Sequence, residues 1–380
     1  MMSRAERTLV SDWWWTVDRF LLAALATLMV TGLVLLMAGG PPVAERLGLS
    51  TFHFLNRQVL YLAPAIMILV TVSFLPLRHV RRLALMVYLV GVVLCLMALK
   101  FGPEIKGAHR WIGLGSFGIQ PSEFVKPAFV VLSAWAFSEG ARRKDMPGAL
   151  LALLLLPATI VPLILQPDFG QTMLITIVWA GLFFVAGLHW FWVAGLGGVG
   201  AAGILVAYKF VPHVRARIER FLDKSSGDTF QVDTAMESFA KGGWLGKGPG
   251  EGSIKRILPD AHTDFIFAVT AEEFGILVCL GLLMIFGFIV LRGFMLARRN
   301  EDPFCRLAIT GLVLMFGLQA AINMAVNVHL MPAKGMTLPF ISYGGSSLLS
   351  LALGMGFLIA LTRRRPRAEM LDRLVPAPQP

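Results

Sequence analysis

The side chains able to do chemistry in this 380-residue chain gather in a few stretches rich in glycine, proline and charge. The first reads Lys106-Gly-Ala-His-Arg110-Trp111-Ile-Gly-Leu-Gly115 and is followed by Gln120-Pro-Ser-Glu123-Phe-Val-Lys126-Pro127. The second is Gln166-Pro-Asp168-Phe-Gly170-Gln171-Thr172. A third runs Lys241-Gly-Gly-Trp244-Leu-Gly-Lys-Gly-Pro-Gly250-Glu251-Gly252, then Lys255-Arg256-Ile-Leu-Pro259-Asp260-Ala-His262-Thr263-Asp264-Phe265. The last holds Asn323, Asn327 and His329 ahead of Lys334-Gly-Met-Thr-Leu-Pro339-Phe-Ile-Ser342-Tyr343-Gly-Gly-Ser-Ser347. A carboxylate in such company can take a proton from a hydroxyl. Lysine and arginine can offset the charge of a departing phosphate.

Each residue also has a plainer reading. Lys126 either snorkels to the membrane surface or faces a polar cavity that receives an anionic headgroup. Asp168 caps the next helix or turns into that cavity. The glycines of 241–252 allow backbone N–H groups to cradle a phosphate. They lack the GKS or GKT ending of a nucleotide-binding loop, which argues against nucleotide hydrolysis. Asp264 is either an N-cap, with Thr263 competing, or a carboxylate at the cavity rim. Glu272 and Glu273 fall about 12 Å further along the same helix at 1.5 Å per residue. Two acids in an apolar span must face protein or water, and are expected to bind the bundle together. Glu123, Asp168 and Glu273 could equally form internal ion pairs.

Composition says what positions these groups. The chain is 56% hydrophobic with a mean hydropathy of +0.71 and only 15% charged residues. A soluble domain carries about a quarter, so lipid must solvate most of this one. Soluble enzymes, disordered chains, collagen and coiled coils are excluded. Apolar runs of about 20 residues predict an all-α, polytopic protein of about ten transmembrane helices near 17–39, 58–76, 82–100, 121–139, 147–165, 171–188, 190–210, 265–291, 306–326 and 344–362. They leave a leader at 1–16, a membrane domain at 17–362 and a basic tail at 363–380. Nothing in the leader resembles a cleavable signal, so the first run reads as a retained anchor.

Roughly 18 of the 34 basic residues fall in the leader, the tail and the loops near 80, 143 and 300, and the positive-inside rule makes that side cytoplasmic. Both termini then lie inside. The opposite, periplasmic face carries loops 40–57, 101–120, 166–170, 211–263 and 327–343. The long one suits a surface-lying helix. Trp13, Trp14 and Trp15 fit an interfacial belt. The net charge of +11 follows from orientation rather than from nucleic-acid binding. Cys95, Cys279 and Cys305 form neither a zinc pattern nor a redox pair.

Taken together, KGAHRWIGLG with QPSEFVKP, QPDFGQT, LPDAHTDFIFAVTAEEFG and LPFISYGGSS resemble the SEDS (shape, elongation, division and sporulation) family, in order and over nearly all of the membrane part. GGWLGKGPGEG and KGMTLPFISYGGSS look more like the division type than the elongation type. The resemblance implies a peptidoglycan glycosyltransferase of the bacterial inner membrane that polymerises lipid II on the periplasmic face. It also implies a class B penicillin-binding transpeptidase and other divisome proteins as partners. The family's catalytic aspartate maps to Asp264, and Arg110, Trp111 and Lys334 match positions important in the family. Asp260 stands where many relatives have glutamate, so its reach is shorter.

The chemistry asks for a base near a sugar hydroxyl and cations near a diphosphate. Asp264 meets the first need; Arg110, Lys126 and Lys334 are candidates for the second. Glu123, Asp168, Gln171, Asp260, His262, Glu273, Ser342 and Tyr343 are expected to support them. No organic cofactor is expected, though a divalent cation, Mg2+ or Mn2+, could assist the diphosphate. The alternatives are a lipid II flippase, against which the absence of a clear inverted repeat argues, and a scaffold acting through its tail.

Overall fold

The computed structural model describes residues 8–105, 107–114, 117–143, 145–187, 190–210, 215, 219, 230–332 and 335–363. The apolar runs are helices: α1 (Leu9–Thr16), α2 (Arg19–Arg46), α3 (His53–Ser73), α4 (Leu77–Phe101), α5 (Pro121–Arg142), α6 (Gly148–Leu165), α7 (Phe169–Val185) and α8 (Trp190–Phe210). Then come α9 (Phe230–Gly242), a short 3-10 turn (Ile254–Arg256), α10 (Ile266–Arg298), α11 (Pro303–Asn327) and α12 (Gly345–Thr362). Among the described helices seven are long and apolar enough to cross a membrane: α2, α3, α4, α6, α10, α11 and α12. The protein is therefore all-α and polytopic, apart from two three-residue strands in the 101–120 connection. These are β1 (Ile112–Leu114) and β2 (Phe117–Ile119), paired antiparallel with Gly113 opposite Gly118.

Local chemistry sets the helix ends. Asp18 accepts from Leu21 N to start α2, and Asp302 accepts from Phe304 N, with Pro303 in the first turn of α11. The expected 40–57 loop is shorter than the sequence suggests, because α2 continues through Pro41 and Pro42 to Arg46. Those two prolines forfeit only the bonds to the carbonyls one turn earlier. The leader is not featureless either. Trp13 is buried, donates its indole N–H to Ser73 Oγ at 2.7 Å and stacks on Phe74, while Trp14 and Trp15 stay exposed under the Arg19 guanidinium. Residues 364–380 of the tail lie outside the described residues.

Burial runs opposite to a soluble protein's rim. α5, α11 and α12 form the centre, and α12 is buried along almost its whole length. Around them α4, α6 and α10 turn Leu85, Met86, Leu89, Leu154, Leu283 and Met284 outward, an apolar coat suited to lipid.

One span is broken. Within α10, Gly275 has φ 81° and ψ 173°, so 266–274 and 276–298 are separate helical segments. Residues 243–248 of the glycine-rich stretch take up the groups this frees. Lys247 N and Gly248 N donate to the carbonyls of Glu272 and Glu273 (2.9 and 3.0 Å), and Ile276 N donates to Gly243 O at 3.0 Å. A Cβ at Gly275 would sit 2.3 Å from Trp244 O. Gly275→Val is therefore expected to destabilise the protein by at least about 1–3 kcal/mol, the usual cost of a strained left-handed residue. A thermal melt of the purified protein in detergent reads this, and an unchanged melting temperature would contradict it.

Candidate functional site

Asp264 lies just before the first turn of α10 and is half-buried. It does not cap that helix. The N-cap is Phe265, which makes no side-chain cap bond, and Ala268 N is instead taken by Asn327 Oδ1 at 3.1 Å from α11. Three successive carbonyls ahead of the helix are occupied. His262 O accepts from Tyr343 N (2.9 Å) and Thr263 O from Ser342 Oγ (2.6 Å). Asp264 O accepts from Asn323 Nδ2 (3.0 Å) and Asn327 Nδ2 (2.9 Å). With its backbone fixed, the Asp264 carboxylate reaches the turn at Gly335: a Cβ placed there would lie 3.7 Å from Oδ2. Lys334, the residue before, lies outside the described residues.

The surrounding chain is irregular in the way sites often are. The non-glycine residues with positive φ among those described are Pro167, Asp260, His329 and Phe340, and all fall in the segments the sequence singled out. Asp260 shapes the turn through its main chain, its carbonyl accepting from Thr263 N and Phe265 N. His262 is buried, its ring 4.2 Å from Phe54 and 5.5 Å from Tyr343 between centroids. Ser342 also accepts from Leu338 N at 2.8 Å, closing its own turn.

Lys126 neither snorkels nor turns to an open cavity. The structure buries it to 1% exposure and spends its ammonium on Glu123 (3.0 Å), Gln171 Oε1 (2.8 Å) and Gln319 Oε1 (3.4 Å). The reason is position: α5 is a central helix, and the side chain has no route to the surface. Gln171 returns a bond from Nε2 to Glu123 Oε1 at 2.8 Å. Gln319 Nε2 donates to Thr337 O at 3.1 Å, next to Met336, whose carbonyl accepts from Asn323 at 2.6 Å. A continuous polar network therefore joins the Lys126 hub to the Asp264 turn.

Asp168 does cap α7, accepting from Gln171 N at 3.4 Å, and so meets the same network. Burial raises its carboxyl above the ordinary value, and the Arg110 guanidinium works against that. Arg110 donates Nε and Nη2 to the carbonyls of Gln166 and Pro167 (2.9 and 2.6 Å), with Nη1 3.9 Å from Asp168 and about a third of the side chain exposed (32%). It bolts the hairpin loop to the turn before α7. Trp111 lies against Gly118 of β2, where a Cβ would meet its ring at 3.3 Å.

Of the glycine-rich stretch expected to cradle phosphate, Gly250 N is taken by an acid and Lys247 N and Gly248 N by backbone carbonyls, and the N–H groups just beyond it also meet an acid. Glu272 accepts from the backbone N–H groups of Ser253, Ile254 and Lys255, and Glu273 pairs with the Lys255 ammonium and accepts from Gly250 N. These two carboxylates hold the loop rather than the helix bundle. Among the described residues no three His, Cys, Asp or Glu side chains converge.

Asn323 and Asn327 stand out in the sequence, but Gln319 and the stripe the three form do not. Gln319, Asn323 and Asn327 are spaced by four on one face of α11 and are all buried. Three amides one turn apart in an apolar span were the available signal, since such groups are retained there to bond a neighbouring segment.

A bundle of apolar helices that holds the peptide of an aspartate just ahead of a helix has the fold of the polytopic SEDS membrane enzymes. The chain belongs to the cell cycle protein family of FtsW, RodA and SpoVE, whose family model matches residues 18–366. It is 45% identical over 368 residues to a probable peptidoglycan glycosyltransferase FtsW of Caulobacter vibrioides (strain NA1000 / CB15N), covering 96% of this chain and 94% of that one. A similarly named protein of Hydrogenovibrio crunogenus (strain DSM 25203 / XCL-2) is 34% identical, covering 91% of each. Among solved structures, a chain of a peptidoglycan synthase complex that coordinates polymerization and crosslinking superposes with a TM-score of 0.76 at 29% identity, covering 92% of this chain and 98% of that one. The rod shape determining protein RodA of Thermus thermophilus gives 0.69 at 28%, covering 92% and 97%.

The Glu123–Lys126 pair makes a stability prediction. Lys126→Met leaves a carboxylate buried without its partner and is expected to cost about 3–5 kcal/mol, most of it recovered in the Glu123→Gln/Lys126→Met double variant. Melting temperatures of the single and double variants check this. Additive losses would show that the two side chains are not coupled.

Proposed function

We propose that Asp264 is the general base of a peptidoglycan glycosyltransferase that polymerises lipid II, the undecaprenyl-pyrophosphoryl disaccharide-pentapeptide, during septal wall synthesis. The chain is a division-type enzyme of this class, in line with the relatives it matches over nearly their whole length. The observation that carries the base assignment is the fixed backbone at 262–264, which leaves the Asp264 carboxylate directed at the Gly335 turn.

In the reaction the acceptor sugar's 4-hydroxyl attacks the anomeric carbon of the donor. Asp264 takes the hydroxyl proton as the new C–O bond forms. The bond to diphosphate breaks on the opposite face, inverting the centre, and the electrons leave with polyprenyl diphosphate. Lys334, next to Gly335, and the exposed part of Arg110 are the cations assigned to the departing charge. Lys126 serves them at one remove, by holding Gln319 and with it the 336–337 backbone. Trp111 is assigned to the lipid-linked sugar at the same end.

The chain is a multi-pass inner-membrane protein. The orientation proposed for it has ten crossings, both termini cytoplasmic and the Asp264 end periplasmic; the arginines at the other end, among them Arg81, Arg142, Arg292 and Arg363, support that reading. The partner assigned to it is a class B penicillin-binding transpeptidase, with other divisome proteins.

Asp264→Asn is expected to lower glycan formation from lipid II by at least about 100-fold, at the low end for loss of a general base, without changing the melting temperature. The assay uses purified protein in detergent with its transpeptidase. Detergent has no two sides, so polymer formed there also separates a polymerase from a flippase. Near-normal polymer from the variant would reject the base assignment.

A further inference from the structure

We infer that Asn323 and Asn327 of α11 are positioning residues for the reaction, setting the Asp264 carboxylate against the 335–336 backbone; this rests on the reading of Asp264 as base. Both amides point at the main chain of the site. Asn323 Nδ2 donates to Asp264 O at 3.0 Å and to Met336 O at 2.6 Å, so one side chain grips the acid's own peptide and the segment it faces. Asn327 Nδ2 donates to the same Asp264 O at 2.9 Å, while its Oδ1 takes Ala268 N. The two are linked, since Asn327 Nδ2 also reaches Asn323 O at 2.9 Å.

Both asparagines are at least 98% buried, Asn323 with 2% exposure and Asn327 with 0%. Neither is placed to touch substrate. The alternative is that they only stabilise a helix break. That role needs the Oδ1 acceptor of Asn327 for the helix start, but not two amide donors converging on the carbonyl of Asp264. An amide donor removed there lets the Asp264 peptide tilt, and a displacement of about 1 Å at a reacting group can cost on the order of 100-fold in rate.

Two near-isosteric variants separate the roles. Asn327→Asp keeps an oxygen for Ala268 N but loses the donor to Asp264 O. Asn323→Leu removes both of its donors and leaves the α10 cap alone. In the full-length protein with its transpeptidase, each is expected to lower the maximal rate of polymerisation of labelled lipid II by about 10–100-fold. The half-saturating lipid II concentration should change by less than about threefold, because only the placement of the base is disturbed. Introduced into the Asp264→Asn background, Asn323→Leu should add no further loss, since it acts through that carboxylate.

A normal maximal rate in either variant, or a full further loss on top of Asp264→Asn, would overturn the inference. So would a defect confined to half-saturation. If Asn327→Asp does not accumulate, Asn323→Leu and its double variant decide alone, and Asn323→Ser replaces Asn323→Leu if that too is unstable. Should Asp264→Asn itself polymerise normally, the base assignment fails whatever the asparagines do.

Discussion

Inside lipid, a backbone N–H or carbonyl that leaves a helix has no water to bond, and each one unsatisfied costs several kcal/mol. The same cost falls on groups buried in protein, as at Asn323 and Asn327. The backbone groups freed at Gly275 and those of 262–264 ahead of α10 are matched by side chains or backbone brought in from elsewhere. The amides of Gln319, Asn323 and Asn327 meet three of these needs from one helix face. Glu272 meets another by taking the N–H groups of 253–255.

The same constraint sorts the acids. Glu123, Asp168, Glu272 and Glu273 are buried and committed, to Lys126, Gln171 N, the 253–255 amides and Lys255 in turn. Asp264 differs in that its backbone is held by others while its carboxylate sits half-buried beside Gly335. Buried ion pairs keep the frame rigid, and the half-buried Asp264 stands just ahead of α10 with its peptide held from α11. Arg110 shows the arrangement extending outward, since it joins the hairpin loop to the turn before α7 with charge-assisted bonds to carbonyls.

Much of the fold was legible in the sequence because hydropathy in a membrane protein is a length measurement. The apolar runs near 147–165, 190–210 and 344–362 coincide with α6, α8 and α12 almost to the residue. The long connection does contain a helix, α9, with Thr234, Ala235 and Ser238 buried. The ends were less legible where proline misled. Pro41 and Pro42 read as the start of a loop, yet the helix absorbs them. The β1–β2 hairpin went unread because its strands are three residues long and built around glycines.

The sequence by itself determined that the chain is all-α, membrane-embedded and of this family, and that Asp264 stands where a helix begins, since composition, spacing and motif order need no contacts to be read. Only the tertiary structure decided what each polar residue does. Lys126, Glu272 and Glu273 carry the same charges whether they face a ligand or a neighbour, and it is the central position of α5 and the break at Gly275 that turn them inward. Asn323 and Asn327 are silent in one dimension for the same reason: an amide has no preferred partner until folding brings a bare carbonyl within 3.0 Å of it.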